Sequence, residues 1–74
     1  MKQNKLSSTP SELLTNRELE IFLLIVKGRI SQQIAEELFV SIHTVNFHRK
    51  NIYSKLKLNS IGKMIEYAYK YQLI

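Results

Sequence analysis

Three hydroxyl residues, Thr15, Ser41 and Ser60, each stand directly before a stretch whose apolar residues recur at helical spacing. A hydroxyl there accepts a bond from an otherwise unpaired backbone N–H of the first turn, so it marks where a helix begins. Thr15-Asn16-Arg17-Glu18 has the T-x-x-E form of a capping box, and Leu14 before it can pack against the first turn. The run that follows ends at Gly28, a residue suited to the left-handed backbone that closes a helix. A short second helix is expected from about Ser31 to Phe39, with Ile34, Ala35 and Leu38 inward and Glu36 and Glu37 outward. A tight turn at Val40-Ser41 leads into a third helix of about 42–56, whose Val45, Ile52 and Leu56 share one stripe. Lys57 to Asn59 interrupts the pattern, and beyond Ser60 a fourth helix sets Ile61, Met64, Ile65 and Ala68 on one face. No segment alternates with period two, so strands are not expected. The fold class that follows is all-α, a compact four-helix domain in which the second and third helices form a helix-turn-helix.

At 74 residues the chain makes one domain with a modest core, which demands tight helix packing or association. The absence of cysteine rules out a disulfide framework and a thiolate zinc site, and suits a reducing, cytoplasmic location. No apolar run approaches the ~20 residues of a membrane span, and the N-terminus lacks a signal-peptide core, so no membrane partner is expected. Residues 1–13 are polar and Ser-rich and read as a flexible leader or linker remnant ahead of a folded domain at 14–74. No nucleophile–base pair, phosphate loop or metal cluster is visible, so neither an enzyme nor a cofactor is expected.

Charge is distributed unevenly. Between Leu38 and Ile65 stand Arg49, Lys50, Lys55, Lys57 and Lys63 and no acid, while the remainder of the chain is balanced; the net charge of +5 thus arises in one segment. A basic helix on a small polarised domain is the electrostatic footprint of a nucleic-acid binder.

Stepping about 100° per residue along the third helix places His43, Asn46, Phe47, Lys50 and Ser54 opposite the core stripe. Asn46, Phe47 and Lys50 are the candidate base readers. Asn can pair with adenine, Lys can donate to guanine, and Phe can touch a thymine methyl. The flank holds Thr44, His48, Asn51 and Lys55, whose hydroxyl, imidazole, amide and ammonium suit phosphate oxygens. For Phe47 the plainer alternative is a partly covered surface aromatic, and for His48 a structural histidine bonded within the fold. His43 and His48 lie five apart, which misses the spacing that brings two ligands together on a helix, so no metal site is expected. Arg49 falls toward the core side and should keep its stem packed and its head wet. On the fourth helix, Gly62, Glu66 and Tyr69 form a stripe away from the apolar face, a candidate dimer surface or simply a solvated one. Leu19 and Leu23 on the first helix are either added core or a docking surface for another domain.

The residues Leu14-Thr15-Asn16-Arg17-Glu18-Leu19-Glu20-Ile21, Gly28, Ile34-Ala35, Leu38, Ser41, Thr44-Val45, His48, Ile52, Lys55-Leu56 and Ser60 together resemble the LuxR-type, or GerE-like, DNA-binding domain. The resemblance runs from Leu14 to Ile74. It implies a four-helix effector domain of bacterial transcription regulators that binds double-stranded DNA, with the third helix in the major groove and the fourth assisting a homodimer. Asn46, Phe47 and Lys50 match positions where that family reads bases, and Thr44, His48 and Lys55 match positions where it touches phosphates. An upstream sensor or receiver domain, and RNA polymerase, are the further partners such an effector implies. Four positions depart from the family pattern: Ile30 fills the usual Ser/Thr cap slot, which leaves Ser31 to cap one residue late; Lys57 replaces a common glycine; and Leu19 and Leu23 replace charged residues. A sigma-factor region 4-like domain working with RNA polymerase, and a protein-interaction module with a basic face, stay open as alternatives.

Overall fold

The computed structural model describes residues 9–74, and these contain five helices and no strand. The expected leader at 1–13 therefore divides. Residues 1–8 lie outside the described part, whereas Pro10–Leu13 form a helical turn, α1, packed on the two longest helices of the domain. Proline suits the first helical position because it has no N–H to leave unpaired there. Its ring is fully buried, and the Thr9 backbone N–H donates to Glu12 Oε1 at 2.8 Å. The packed unit thus begins at Pro10 rather than Leu14. One turn is too short to show a period, and its anchor is a residue that ordinarily reads as a helix breaker.

Helix α2 spans Asn16–Val26 and starts with the full reciprocal box. The Glu18 N–H donates to Thr15 Oγ1 (3.1 Å) and the Thr15 N–H donates to Glu18 Oε1 (2.9 Å). Gly28 closes the helix at φ 98°, and the Arg29 N–H reaches back to the Leu24 carbonyl at 3.1 Å. A Cβ at Gly28 would meet nothing within 4 Å, so the backbone angle and not crowding calls for glycine.

Helix α3, Ser31–Leu38, has Ile30 at its N-cap. Isoleucine offers no acceptor, so only the return bond forms, from the Ile30 N–H to Gln33 Oε1 (3.0 Å). Ser31 does not cap one residue late as expected; it is the first helical residue, and its hydroxyl is engaged on another helix. Phe39 ends α3 in the left-handed region, φ 58°, with its ring 94% exposed. Helix α4, Ile42–Leu56, begins where Ser41 Oγ accepts the Thr44 N–H at 3.0 Å. Lys57 closes it, also left-handed at φ 57°, and the Leu58 N–H bonds the Tyr53 carbonyl. Helix α5, Ile61–Lys70, is capped by Ser60, whose Oγ accepts the Lys63 N–H at 3.1 Å.

The core gathers Ile21, Phe22 and Ile25 of α2, Ile34 and Ala35 of α3, the stripe Val45, Ile52 and Leu56 of α4, and Met64 and Ala68 of α5. Tyr67 sets its ring edge-on to Phe22 at 6.1 Å between centroids, which ties α5 to α2. Leu19 and Leu23 are partly buried against this core and so enlarge it. Ile61 departs from its expected inward face and is 46% exposed, because the first residue of α5 stands ahead of the part that meets the core.

A non-glycine residue in the left-handed region costs roughly 1–2 kcal/mol, partly offset by the chain entropy that glycine would lose. Lys57→Gly should therefore raise stability by about 0.5–1 kcal/mol and the melting temperature by a few degrees. Thermal unfolding followed by circular dichroism checks this; a drop in melting temperature would show that the lysine stem compensates for its backbone.

Candidate nucleic-acid interface

The α4 backbone distributes its side chains as a regular helix must. Val45, Ile52 and Leu56 are buried; His43, Asn46, Phe47, Lys50 and Ser54 on the opposite face are all exposed. Thr44, His48 and Asn51 lie on the half-buried flank, with Lys55 at its exposed end, and Arg49 is half-buried on the core side. The structure thus brings Asn46, Phe47 and Lys50 onto one open surface. The Phe47 ring is 61% exposed and meets His48 edge-on, with 5.7 Å between centroids. An aromatic ring held outward in this way gains little from its own domain.

Three of these side chains already have partners: the Thr44 hydroxyl lies 3.0 Å from Ser41 Oγ within its own helix turn, and two others reach across the fold. Lys55 Nζ donates to Glu18 Oε1 at 2.7 Å, so the ammonium at the end of α4 closes onto the capping box at the start of α2. Among the described residues Glu18 is the one buried acid, and a buried carboxylate is tolerated when charged and hydrogen-bonded groups surround it. Burial alone raises its carboxyl, but the bonds from Lys55 and the Thr15 N–H, with the Lys55 charge, outweigh that and hold it below the usual 4.5. An ammonium has three donors, so Lys55 keeps two for other acceptors. Asn46 Oδ1 accepts from Ser31 Oγ at 2.9 Å, a contact between α4 and the first residue of α3. The sequence held no local signal for either pair, since the partners lie far apart in the chain.

His48 has a buried Nδ1 without a hydrogen-bond partner. The internal bond of the structural-histidine alternative is therefore absent at that nitrogen, and any outward polar contact falls to Nε2. Gly62, Glu66 and Tyr69 are all exposed on α5. A Cβ at Gly62 would meet only Ser60 Oγ, at an ordinary 3.8 Å, so nothing among the described residues requires glycine there. Among the described residues no group of three or more His, Asp or Glu is placed to hold a metal, and no helix is long and apolar enough to cross a membrane.

A short helix, a tight turn and a longer helix with a basic, acid-free surface define a helix-turn-helix domain of the DNA-binding class. Residues 12–68 match the family described as GerE, bacterial regulatory proteins, luxR family, and the chain belongs to that family. It is 48% identical over 68 residues to the oxygen regulatory protein NreC of Staphylococcus epidermidis, and 47% identical to that of Staphylococcus aureus strain bovine RF122. Each alignment covers 92% of this chain and 31% of the relative, so the chain spans about a third of the length of these curated relatives. Its role is DNA binding in transcription regulation.

A carboxyl held low in the folded state adds stability that is complete above its ordinary value of 4.5 and is lost as pH falls through the lower folded value. Wild type should therefore lose melting temperature more steeply than Glu18→Gln as pH is lowered from about 6 to 3. At neutral pH, Lys55→Met should cost about 1–2 kcal/mol, the low part of the range for charged hydrogen bonds because Lys55 is 41% exposed. Parallel acid profiles for wild type and Glu18→Gln would remove Glu18 from this account.

Proposed function

We propose that the domain binds double-stranded DNA sequence-specifically with α4 in the major groove. Asn46, Phe47 and Lys50 face base edges, while Thr44, His48 through Nε2, Asn51 and Lys55 lie along phosphates. The observation that carries this reading is the open face of α4, where an outward aromatic ring stands among hydrogen-bonding groups inside an acid-free segment. At 15 residues α4 is about 22 Å long, and a helix is narrow enough for a major groove roughly 12 Å wide. The basic segment supplies affinity through counterion release, and the three reading side chains supply choice.

Two copies would meet through the α5 face of Gly62, Glu66 and Tyr69 and set their α4 helices in successive groove segments of a near-palindromic site. The unexplained glycine at 62 supports that surface, because it leaves the helix open to close approach. The domain would serve as the cytoplasmic effector of a longer regulator whose sensor or receiver region supplies the signal, acting on RNA polymerase at the promoter. Membership of the luxR family favours this over a sigma-factor-like domain or a protein-interaction module.

Lys50→Ala should cost about 1–3 kcal/mol on the preferred duplex and relax base preference at one position. Lys55→Ala should weaken all duplexes similarly and reduce the salt slope by about one unit. Titrations of specific and random duplexes across salt concentrations measure both effects; equal losses on both duplexes for Lys50→Ala would remove it from the base readers. For the dimer, Gly62→Ala combined with Tyr69→Glu should abolish cooperative binding to a palindrome and leave half-site affinity nearly unchanged. Retained cooperativity would exclude the α5 face.

A further inference from the structure

The Lys55–Glu18 pair joins an open side chain to a closed one. Lys55 Nζ donates to Glu18 Oε1 at 2.7 Å, and the lysine side chain is 41% exposed where that of the glutamate is 5% exposed. The carboxylate is the fixed member. It lies in the core, and the same oxygen accepts the Thr15 backbone N–H at 2.9 Å, so the cap at the start of α2 sets its place. The two oxygens of a carboxylate are equivalent acceptors, so a half-turn of the group leaves the arrangement as it was. An ammonium has three donors in tetrahedral array. With one directed inward to Glu18, the other two turn away from the core.

We propose that Glu18 is a positioning residue for DNA affinity, which holds the Lys55 ammonium at the phosphate edge of α4 before a duplex arrives. The inference rests on the reading of Lys55 as a phosphate contact. Lysine is among the side chains with the most rotamer freedom to lose, and an unpaired lysine loses it on meeting a phosphate. Here folding has already restrained it, so binding costs less. The capping box of α2, a device of local helix stability, thereby reaches the DNA surface through Thr15, Glu18 and Lys55 in turn. The carboxylate also has an opposing effect, since its negative charge stands behind the ammonium and repels phosphate. A variant that keeps the charge and withdraws the oxygen separates the two effects.

Two measurements on the 74-residue chain test this. In the free wild-type domain, NMR of the lysine ammonium groups should show Lys55 Nζ more ordered, and its protons slower to exchange with water, than those of the exposed Lys50. Titrations of specific and random duplexes across salt then compare wild type, Glu18→Asp, Lys55→Ala and the double variant, each below its melting temperature. Aspartate keeps the net charge at +5 but is one methylene shorter, so its oxygens fall back from Nζ. Glu18→Asp should weaken every duplex about threefold, the cost of ordering one long side chain. Its slope of log affinity against log salt should stay that of wild type, because the ammonium still reaches its phosphate. Lys55→Ala should lower that slope by about one unit, and Glu18→Asp should cause no further loss once Lys55 is alanine. If the Lys55 ammonium is as mobile as that of Lys50, or Glu18→Asp binds as wild type does, Glu18 does not position Lys55 for DNA, although Lys55 still contacts a phosphate. A loss confined to the specific duplex would trace the effect to the seating of α4 and equally overturn the proposal. If Lys55→Ala leaves the slope unchanged, the phosphate assignment fails, and the role given to Glu18 fails with it.

Discussion

One oxygen of Glu18 receives both the Thr15 backbone N–H and the Lys55 ammonium, in a site nearly closed to solvent. Hydrophobic burial drives the helices together, but it is non-directional and tolerates sliding of one helix along another. A charged hydrogen bond has a length and an angle. This one joins the first turn of α2 to the last turn of α4, so it selects one register for α4. It also explains how a carboxylate can lie in the core of so small a domain: leaving it without the ammonium would strand a buried charge.

Given that register, the two sides of α4 have separate tasks. Val45, Ile52 and Leu56 anchor the helix, and the opposite side is left to polar groups and the Phe47 ring. Apart from its edge contact with His48, little among the described residues rewards an exposed phenylalanine at that position, and Phe39 in the turn that precedes α4 is more exposed still. Phe39 combines a left-handed backbone with an almost wholly exposed ring. Such costs concentrate where a domain meets a partner. The neighbouring cations lie in a segment without acids, so no carboxylate close in sequence offsets their charge, although Lys55 is paired with Glu18 across the fold.

The boundaries of α2, α4 and α5 were legible because each depends on residues within one turn of the end. Thr15, Ser41 and Ser60 each accept the N–H three residues on, and Gly28 adopts the positive φ that its type permits. The open and buried sides of α4 were legible for a related reason, since a regular helix converts spacing directly into direction. Elements without such a local signature were not. The single turn at Pro10–Leu13 has no period, and its docking depends on surfaces built by α2 and α4. Ile61 shares the spacing of the α5 core residues yet stays exposed, because spacing reports a face and not how far along it the neighbouring helices extend.

By itself, then, the sequence determined an all-helical domain, the exposed polar face of α4 opposite its core stripe, and its likeness to DNA-binding regulators. These follow from short-range rules of capping, helical period and charge. Only the tertiary structure decided which groups across the chain become partners: Lys55 with Glu18, and Ser31 with Asn46. Both pairs are polar contacts between helices brought together by core packing, and a polar side chain carries no mark in the sequence of the distant group it will meet. Their geometry changes what the surface can do. It commits one donor of Lys55 to the fold and ties Asn46 to α3.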